Sequence, residues 1–328
     1  MRQIPLAAIR EAASSIYPVA ARTPLVRLPL SAELADRLDG TEIYLKLEVL
    51  QPIGSFKIRG AWNVVRQLSR DALRDGIWTV SAGNAAQGVA LAARTAGVPC
   101  SVMVVDTAPQ AKLQAIERLG ATIVPATYDE CWRTVEAHGS ERMRGRFIHP
   151  FDDDQFIAGN GTAGIEIAED LPDVDAVVAP LGGGGLLAGV AAALRELRPG
   201  AQVFAAEPET AAPFDASLKA GRASRFDAWQ PSFVDGAGGR SVLPTMWPLL
   251  QRLVSASIVV PLVDVAAAMK VTAERVHVIA EGAAGCAVAA ALSGRVPGRK
   301  VVAIVSGGNI DLSRFAELVC EPVVVRGS

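Results

Sequence analysis

The sequence has little of what most enzyme chemistry uses. Aromatic residues make up 5% of the 328 positions, and histidine occurs three times, as His138, His149 and His277. Their spacing fits no metal-ligand pattern, so no metal is expected. So few imidazoles also leave little for a Ser-His-Asp triad. The cysteines Cys100, Cys131, Cys286 and Cys320 lie far apart and form no CxxC. They read as buried free thiols in a reducing compartment. No block of lysine and arginine stands out and the net charge is −2, so nucleic acid is not an expected partner. No run reaches the roughly 18 apolar residues of a membrane span. The opening "MRQIPLAAIREAASS" lacks the apolar core and cleavage site of a signal peptide. A cytoplasmic protein without a membrane partner is expected.

What the chain does have is apolar patterning, at 50% hydrophobic residues. Short β-rich runs at 42–48, 77–80, 100–105, 122–125, 146–149, 176–180, 202–207 and 301–306 alternate with helical patterns. The helical patterns cover 84–96, 109–119, 155–169, 185–197 and 263–280. This alternation predicts an α/β fold with parallel sheets covered by helices. The stretch 221–248 reads as loop-rich. Ligands in such folds sit beyond the C-terminal ends of strands, and the glycine-rich segments fall there.

Four of these segments could share one ligand. The first is "GSFK", Gly54 to Lys57, within an otherwise apolar run. A lysine there is either a solvated end on an apolar stem or a desolvated amine able to attack a carbonyl. Ser55 is expected to cap the helix that follows. Lys57 then lies in the first turn, where the positive helix end and burial favour a neutral amine. Phe56 offers a flat face. The second is "SAGNAAQG", Ser81 to Gly88, where free N–H groups at a helix start can take a carboxylate. The alternative there is a plain strand-turn-helix with Asn84 as cap. The third is "GGGGL", Gly182, Gly183, Gly184, Gly185 and Leu186, whose backbone can wrap a phosphate. No GK[ST] follows, so it is not a Walker loop. The fourth is "SGGNIDL", which begins at Ser306 as a strand ends; as a plain turn it would use Asn309 or Asp311 as cap.

Two ligands compete. Gly183, Gly185 and Ala188 fit G-x-G-x-x-A, and Glu207 ends the next strand, as in an NAD-binding oxidoreductase. That reading leaves the lysine loop unexplained. A phosphate site, a desolvated lysine, an aromatic face and a strand-end serine together describe pyridoxal phosphate.

Ten segments then carry a resemblance over nearly the whole chain. They include "RTPLVRL", "KLEVLQPIGSFKIRGAWN", "SAGNAAQGVALAA", "HPFDDDQFIAGNGT", "GGGGLLAG", "VDGAG", "EGAAG" and "SGGNIDL". The chain resembles the serine/threonine dehydratase (threonine ammonia-lyase) group of fold-type II pyridoxal phosphate enzymes, the tryptophan synthase β-like superfamily. The resemblance implies a large cofactor domain, 1–74 with 150–328, and a small mobile domain, 75–149. It implies that Lys57 binds the cofactor aldehyde and serves as base at Cα. Phe56 would pack on the cofactor ring, Asn84 would bond its hydroxyl, Gly182–Gly185 with the Leu186 N–H would hold its phosphate, and Ser306 would meet its nitrogen. Ser81, Ala82, Gly83, Asn84 and Ala85 would form the substrate loop, with Gly236 and Glu281 near the site.

The implied activity is β-elimination of a β-hydroxy amino acid, such as threonine, serine or a bulkier analogue, to a 2-oxo acid and ammonia. A homodimer is expected. An amino acid racemase or another β-eliminating or β-replacing enzyme of the fold is the alternative. Cysteine synthases carry a "GSVKDR"-like lysine loop, unlike "GSFKIRGA". The family's "SAGNHAQG" is altered at Ala85, which predicts a larger, less polar pocket, and its "IAGQGT" is altered at Asn160. Pro213 stands where some relatives place a metal-binding aspartate. No C-terminal regulatory domain is expected.

Overall fold

The computed structural model describes residues 2–320. Ten strands form two sheets: β1 (Leu25–Arg27), β2 (Glu42–Lys46), β3 (Ile77–Val80), β4 (Cys100–Val105), β5 (Thr122–Ala126), β6 (Arg146–Phe147), β7 (Ala176–Pro180), β8 (Gln202–Pro208), β9 (Ala256–Val260) and β10 (Lys300–Ile304). The larger sheet has the order β1-β2-β10-β7-β8-β9 and the smaller β5-β4-β3-β6. All neighbours are parallel except the edge strand β1, which runs antiparallel to β2. All four strands of the smaller sheet come from between Ile77 and Phe147.

The central strands are buried on both faces, which is why they read as unbroken apolar runs. Val177 and Ala179 of β7 face the helices Asp154–Asp170 and Gly185–Leu197. Ala176 and Val178 face the helix Gly282–Leu292 on the other side.

Most elements fall where the sequence pattern puts them, and the departures have local causes. The strand expected over 146–149 stops at Phe147: Ile148 N–H still donates to the Trp78 carbonyl at 2.8 Å, but Pro150 has no N–H to continue the ladder. The helix expected over 263–280 ends at Val276, where His277 turns left-handed at φ 60°. The helix Gly282–Leu292 escaped the pattern because all its residues are buried, so it has no polar face to set a period. The short β1 and β9 and the helix Leu6–Ser15 were not anticipated either; β1, at 3 residues, is too short to show a period.

Helix Asp154–Asp170 crosses two others at backbone distance. A Cβ on Gly189 would lie 2.4 Å from the Ile157 carbonyl oxygen. Backbone cannot swing aside as a side chain can, so Gly189→Ala should destabilise by about 1–3 kcal/mol. Gly200 has nothing within 4 Å of its Cβ position and serves as the control. Thermal unfolding of the two variants checks this; equal midpoints would contradict it.

Candidate active site

The lysine loop and the serine loop are zipped together. Phe56 N–H donates to the Ser306 carbonyl at 3.0 Å, and Gly308 N–H to the Gly54 carbonyl at 2.9 Å. Ser55 and Gly307 form an isolated bridge between them. This overturns the expected Ser55 cap. The helix begins at Lys57 behind Phe56, and the buried Ser55 hydroxyl has no partner. The backbone bridge fixes Ser55 one residue too early to reach the helix N–H groups.

Lys57 therefore occupies the first helical position. Its amine donates to the Pro150 carbonyl at 2.7 Å and lies 5.1 Å and 5.4 Å from the ring centroids of Phe56 and Phe156. Desolvation pulls its pKa down to about 8, and the nearby Glu281 charge opposes this. The lysine is thus poised to be a neutral nucleophile. Helix Asn84–Ala96 runs against it: a Cβ on Gly88 would lie 3.1 Å from the Lys57 backbone.

Asn84 does not cap its own helix; Gly83 stands at that position. The Asn84 amide donates to Glu281 Oε1 at 2.7 Å and accepts from Asn309 Nδ2 at 2.7 Å. One N–H and one lone pair of Asn84 are left for a ligand. Asn309 is likewise no cap; it ties Asn84 to the Ile53 carbonyl at 2.8 Å. Burial and then Asp235 push the Glu281 carboxyl up to about 7.

In the substrate-loop segment, Ser81 Oγ accepts from Gly83 N–H at 3.0 Å, leaving its own proton free to donate. Ala85 is buried in the first helical turn, while Ala82 packs against the apolar core of the smaller sheet.

The glycine loop follows β7. Gly184 has φ 89°, and Gly185 and Leu186 begin the next helix with N–H groups that have no intrahelical partner. A Cβ on Gly183 would fall inside the Phe151 ring at 2.1 Å, and one on Gly182 would lie 2.5 Å from the Gly236 carbonyl oxygen. Gly236 also borders Glu281, at 3.7 Å from its own Cβ position. The structure thus brings Phe56, Lys57, Asn84, Gly307 beside Ser306, and Glu281 into one contacting group. Gly182–Gly185 join it through Phe151 and Gly236.

Two features fit pyridoxal phosphate in this group. The cradle at Gly182–Gly185 has no room for a Cβ and presents helix-start N–H groups, as a phosphate requires. The depressed Lys57 amine, donating to the Pro150 carbonyl next to the Phe151 that packs on the cradle, is the group the aldehyde would meet.

The comparisons decide the family. A family model described as pyridoxal-phosphate dependent enzyme matches residues 16–307. The chain belongs to this family. It is 38% identical to an L-threonine ammonia-lyase of Thermotoga maritima over 99% of this chain and 80% of that one. A catabolic L-threonine dehydratase of Staphylococcus aureus is 35% identical, with 96% and 92% covered. Among solved structures, the processed threonine deaminase isoform 2 of Solanum lycopersicum superposes with TM-score 0.83 at 32% identity, covering 97% and 94%. Maize serine racemase superposes with TM-score 0.88 at 31% identity, covering 96% and 97%. The fold is that of fold-type II enzymes, and the family's cofactor is pyridoxal phosphate.

Sequence reasoning missed several residues here. Phe151 and Pro150 were visible only as part of "HPFDDDQFIAGNGT", and Asn309 only as a possible cap. Lys112 pairs with Asp235, next to Gly236, a contact no local pattern announces. His138, His149 and Asp152, far from any metal spacing, converge with ligand atoms within 4.8 Å. Those donors are committed: Arg2 and Thr245 bond the Asp152 carboxylate, and His149 Nδ1 accepts from the Asp152 N–H at 2.8 Å. Glu207 is committed too, accepting from Phe214 N–H, Asp215 N–H and Ser257 Oγ. Among the described residues, no helix is long and apolar enough to cross a membrane.

Capture of pyridoxal phosphate by the full chain freed of it should follow the neutral fraction of Lys57. Its rate should rise with pH and level off above about 8. Recovery of visible absorbance against pH measures this. A midpoint near the ordinary lysine value would contradict the assigned environment.

Proposed function

We propose that this protein is an ammonia-lyase that dehydrates and deaminates threonine, or a related β-hydroxy amino acid, to a 2-oxo acid and ammonia. The observation that carries this reading is the desolvated Lys57 amine, held against Phe56 in a loop bonded to Ser306 and reaching the Pro150 carbonyl beside Phe151, the ring that packs on Gly183. Relatives named for threonine ammonia-lyase and dehydratase activity support the substrate. Pyridoxal phosphate, when bound, supplies an aldehyde that condenses with amines and a ring that withdraws electrons from the substrate Cα.

The chain's own residues divide the remaining work. Lys57 would bind the aldehyde, and its amine would serve as the base that takes the substrate Cα proton. Gly182–Gly185 and the Leu186 N–H hold the phosphate. The Ser306 hydroxyl would meet the ring nitrogen, and being neutral it would not hold that nitrogen protonated as a carboxylate would. Asn84, fixed by Glu281 and Asn309, has one N–H left for the ring oxygen. Ser81 has a free hydroxyl proton for the substrate carboxylate, and the first N–H groups of the helix behind Gly83 add to it. Ala85, in place of an imidazole, leaves space for a larger substrate side chain.

The proposal includes a homodimeric, cytoplasmic enzyme. It also includes a division into 1–74 with 150–328 and a moving unit, 75–149. The Lys112–Asp235 pair, which crosses between those stretches at Gly236, supports a closing motion over the site.

Racemisation is the second reading, favoured by the likeness to maize serine racemase. It needs a second acid or base on the face opposite Lys57; racemases of this fold place a serine in the substrate loop for it, and alignment through Asn84 puts Ala82 there, whose methyl cannot supply a proton. L-Threonine and L-serine should therefore give oxo acid with little D-isomer, and Lys57→Ala should abolish both turnover and visible absorbance. Oxo-acid assay with chiral chromatography tests this. Near-native turnover in Lys57→Ala would overturn the role of Lys57. D-serine formed as fast as pyruvate would favour the racemase reading.

A further inference from the structure

The chain passes His149-Pro150-Phe151-Asp152 beside the site, with Pro150 touching the Lys57 amine and Phe151 packing on Gly183. His149 is buried, with its ring 4.4 Å from His138 and 4.7 Å from Phe151. Nε2 lies 3.2 Å from the Val135 carbonyl oxygen, so that nitrogen carries the proton. Nδ1 is then a bare lone pair. It accepts the Asp152 N–H at 2.8 Å and the Phe151 N–H at 3.3 Å.

The Phe151 N–H belongs to the same peptide unit as the Pro150 carbonyl, which accepts the Lys57 amine at 2.7 Å. No cis peptide occurs among the described residues. In a trans peptide the N–H and C=O point to opposite sides of the chain. Holding one end therefore aims the other. We propose that His149 is a positioning residue for Lys57: its Nδ1 grips the N–H end of the Pro150–Phe151 peptide and so aims the carbonyl end at the lysine amine. The same grip keeps the Phe151 ring over Gly183, at the glycine cradle. One imidazole thus sets the resting place of the amine and one wall of the cradle.

The surroundings keep this imidazole neutral. Burial, then the neighbouring His138, pulls its pKa down to about 4, and Lys57 adds to that direction. Asp152 opposes it, but that carboxylate is bonded by Thr245 Oγ1 at 2.6 Å and paired with Arg2. Nδ1 therefore remains an acceptor across the range in which Lys57 itself titrates.

The inference rests on Lys57 as the reactive amine, and two substitutions test it. His149→Asn keeps an acceptor at the Nδ1 position and loses the Val135 contact. His149→Gln reaches the Val135 carbonyl and carries its amide past the two N–H groups. The readouts are kcat and KM of the holoenzyme, and the rate at which the cofactor-free full chain regains visible absorbance with added pyridoxal phosphate. The Asn variant should stay within about threefold of the parent in both rates. The Gln variant should lose about ten- to a hundredfold in both, with KM little changed, since a small misplacement of a reacting group costs on that order.

Each variant decides alone, should the other fail to fold. Parental rates in His149→Gln, or a hundredfold loss in His149→Asn, would overturn the proposal. Failure of the Lys57 reading shows separately, as residual turnover in Lys57→Ala.

Discussion

Arg59 is fully buried two residues beyond Lys57, and its guanidinium has only protein to bond. Its Nε and Nη2 meet both oxygens of Glu48 at 2.7 and 2.8 Å, and its Nη1 and Nη2 meet both oxygens of Glu166 at 2.6 and 2.9 Å. Lys46 adds a second cation, 2.6 Å from Glu166, so two buried positive charges balance two buried negative ones. The hydroxyls of Thr23 and Tyr17 donate to Glu48 and Glu166, and Thr162 Oγ1 accepts from Arg59 Nη1 at 3.0 Å. Breaking such a set strands a charge at a cost of about 3–5 kcal/mol. Lys46 belongs to β2, Glu48 to the turn after it, Arg59 to the lysine helix and Glu166 to Asp154–Asp170. The planar fork therefore fixes the lysine helix against the larger sheet in one orientation.

From that fixed helix the site follows by short links. The lysine loop is joined by backbone bonds to the serine loop after β10. Glu281 N–H donates to the Gly307 carbonyl at 3.0 Å, which brings the carboxylate that holds Asn84. Helix Asn84–Ala96 then packs on Lys57 through Gly88, and the Lys57 amine reaches back to the chain crossover at Pro150. Every loop that would touch the cofactor is thus tied to another, so a shift in one is felt at the lysine.

Much of this was legible in the sequence because it is local. A glycine-serine pair before a lysine, four glycines after an apolar strand and a serine at a strand end each carry their chemistry within a few residues. The parallel sheets were readable from the same kind of pattern in β3, β4 and β7. The pairing of Arg59 with Glu48 and Glu166 was not, because a buried charge looks like a surface charge until its partner is placed beside it. Ser55 misled for a related reason: its residue type suits a cap, but a long-range bridge to Gly307 decides its backbone. His149 was set aside with the other histidines because their spacing fits no metal site, whereas its significance lies in which N–H groups face it. Gly282–Leu292 gave no period because it is buried all round.

The central claim is that the geometry of the Arg59 fork, and not its charge alone, sets Lys57 in place. The measurement that bears on it most directly is the affinity of folded Arg59→Lys for pyridoxal phosphate, read as visible absorbance against added cofactor. A lysine keeps the positive charge but cannot bond two carboxylates side by side. The account predicts binding weaker by about tenfold or more, equivalent to about 1.4 kcal/mol. Affinity equal to that of the unaltered protein, in a variant that is folded, would contradict it.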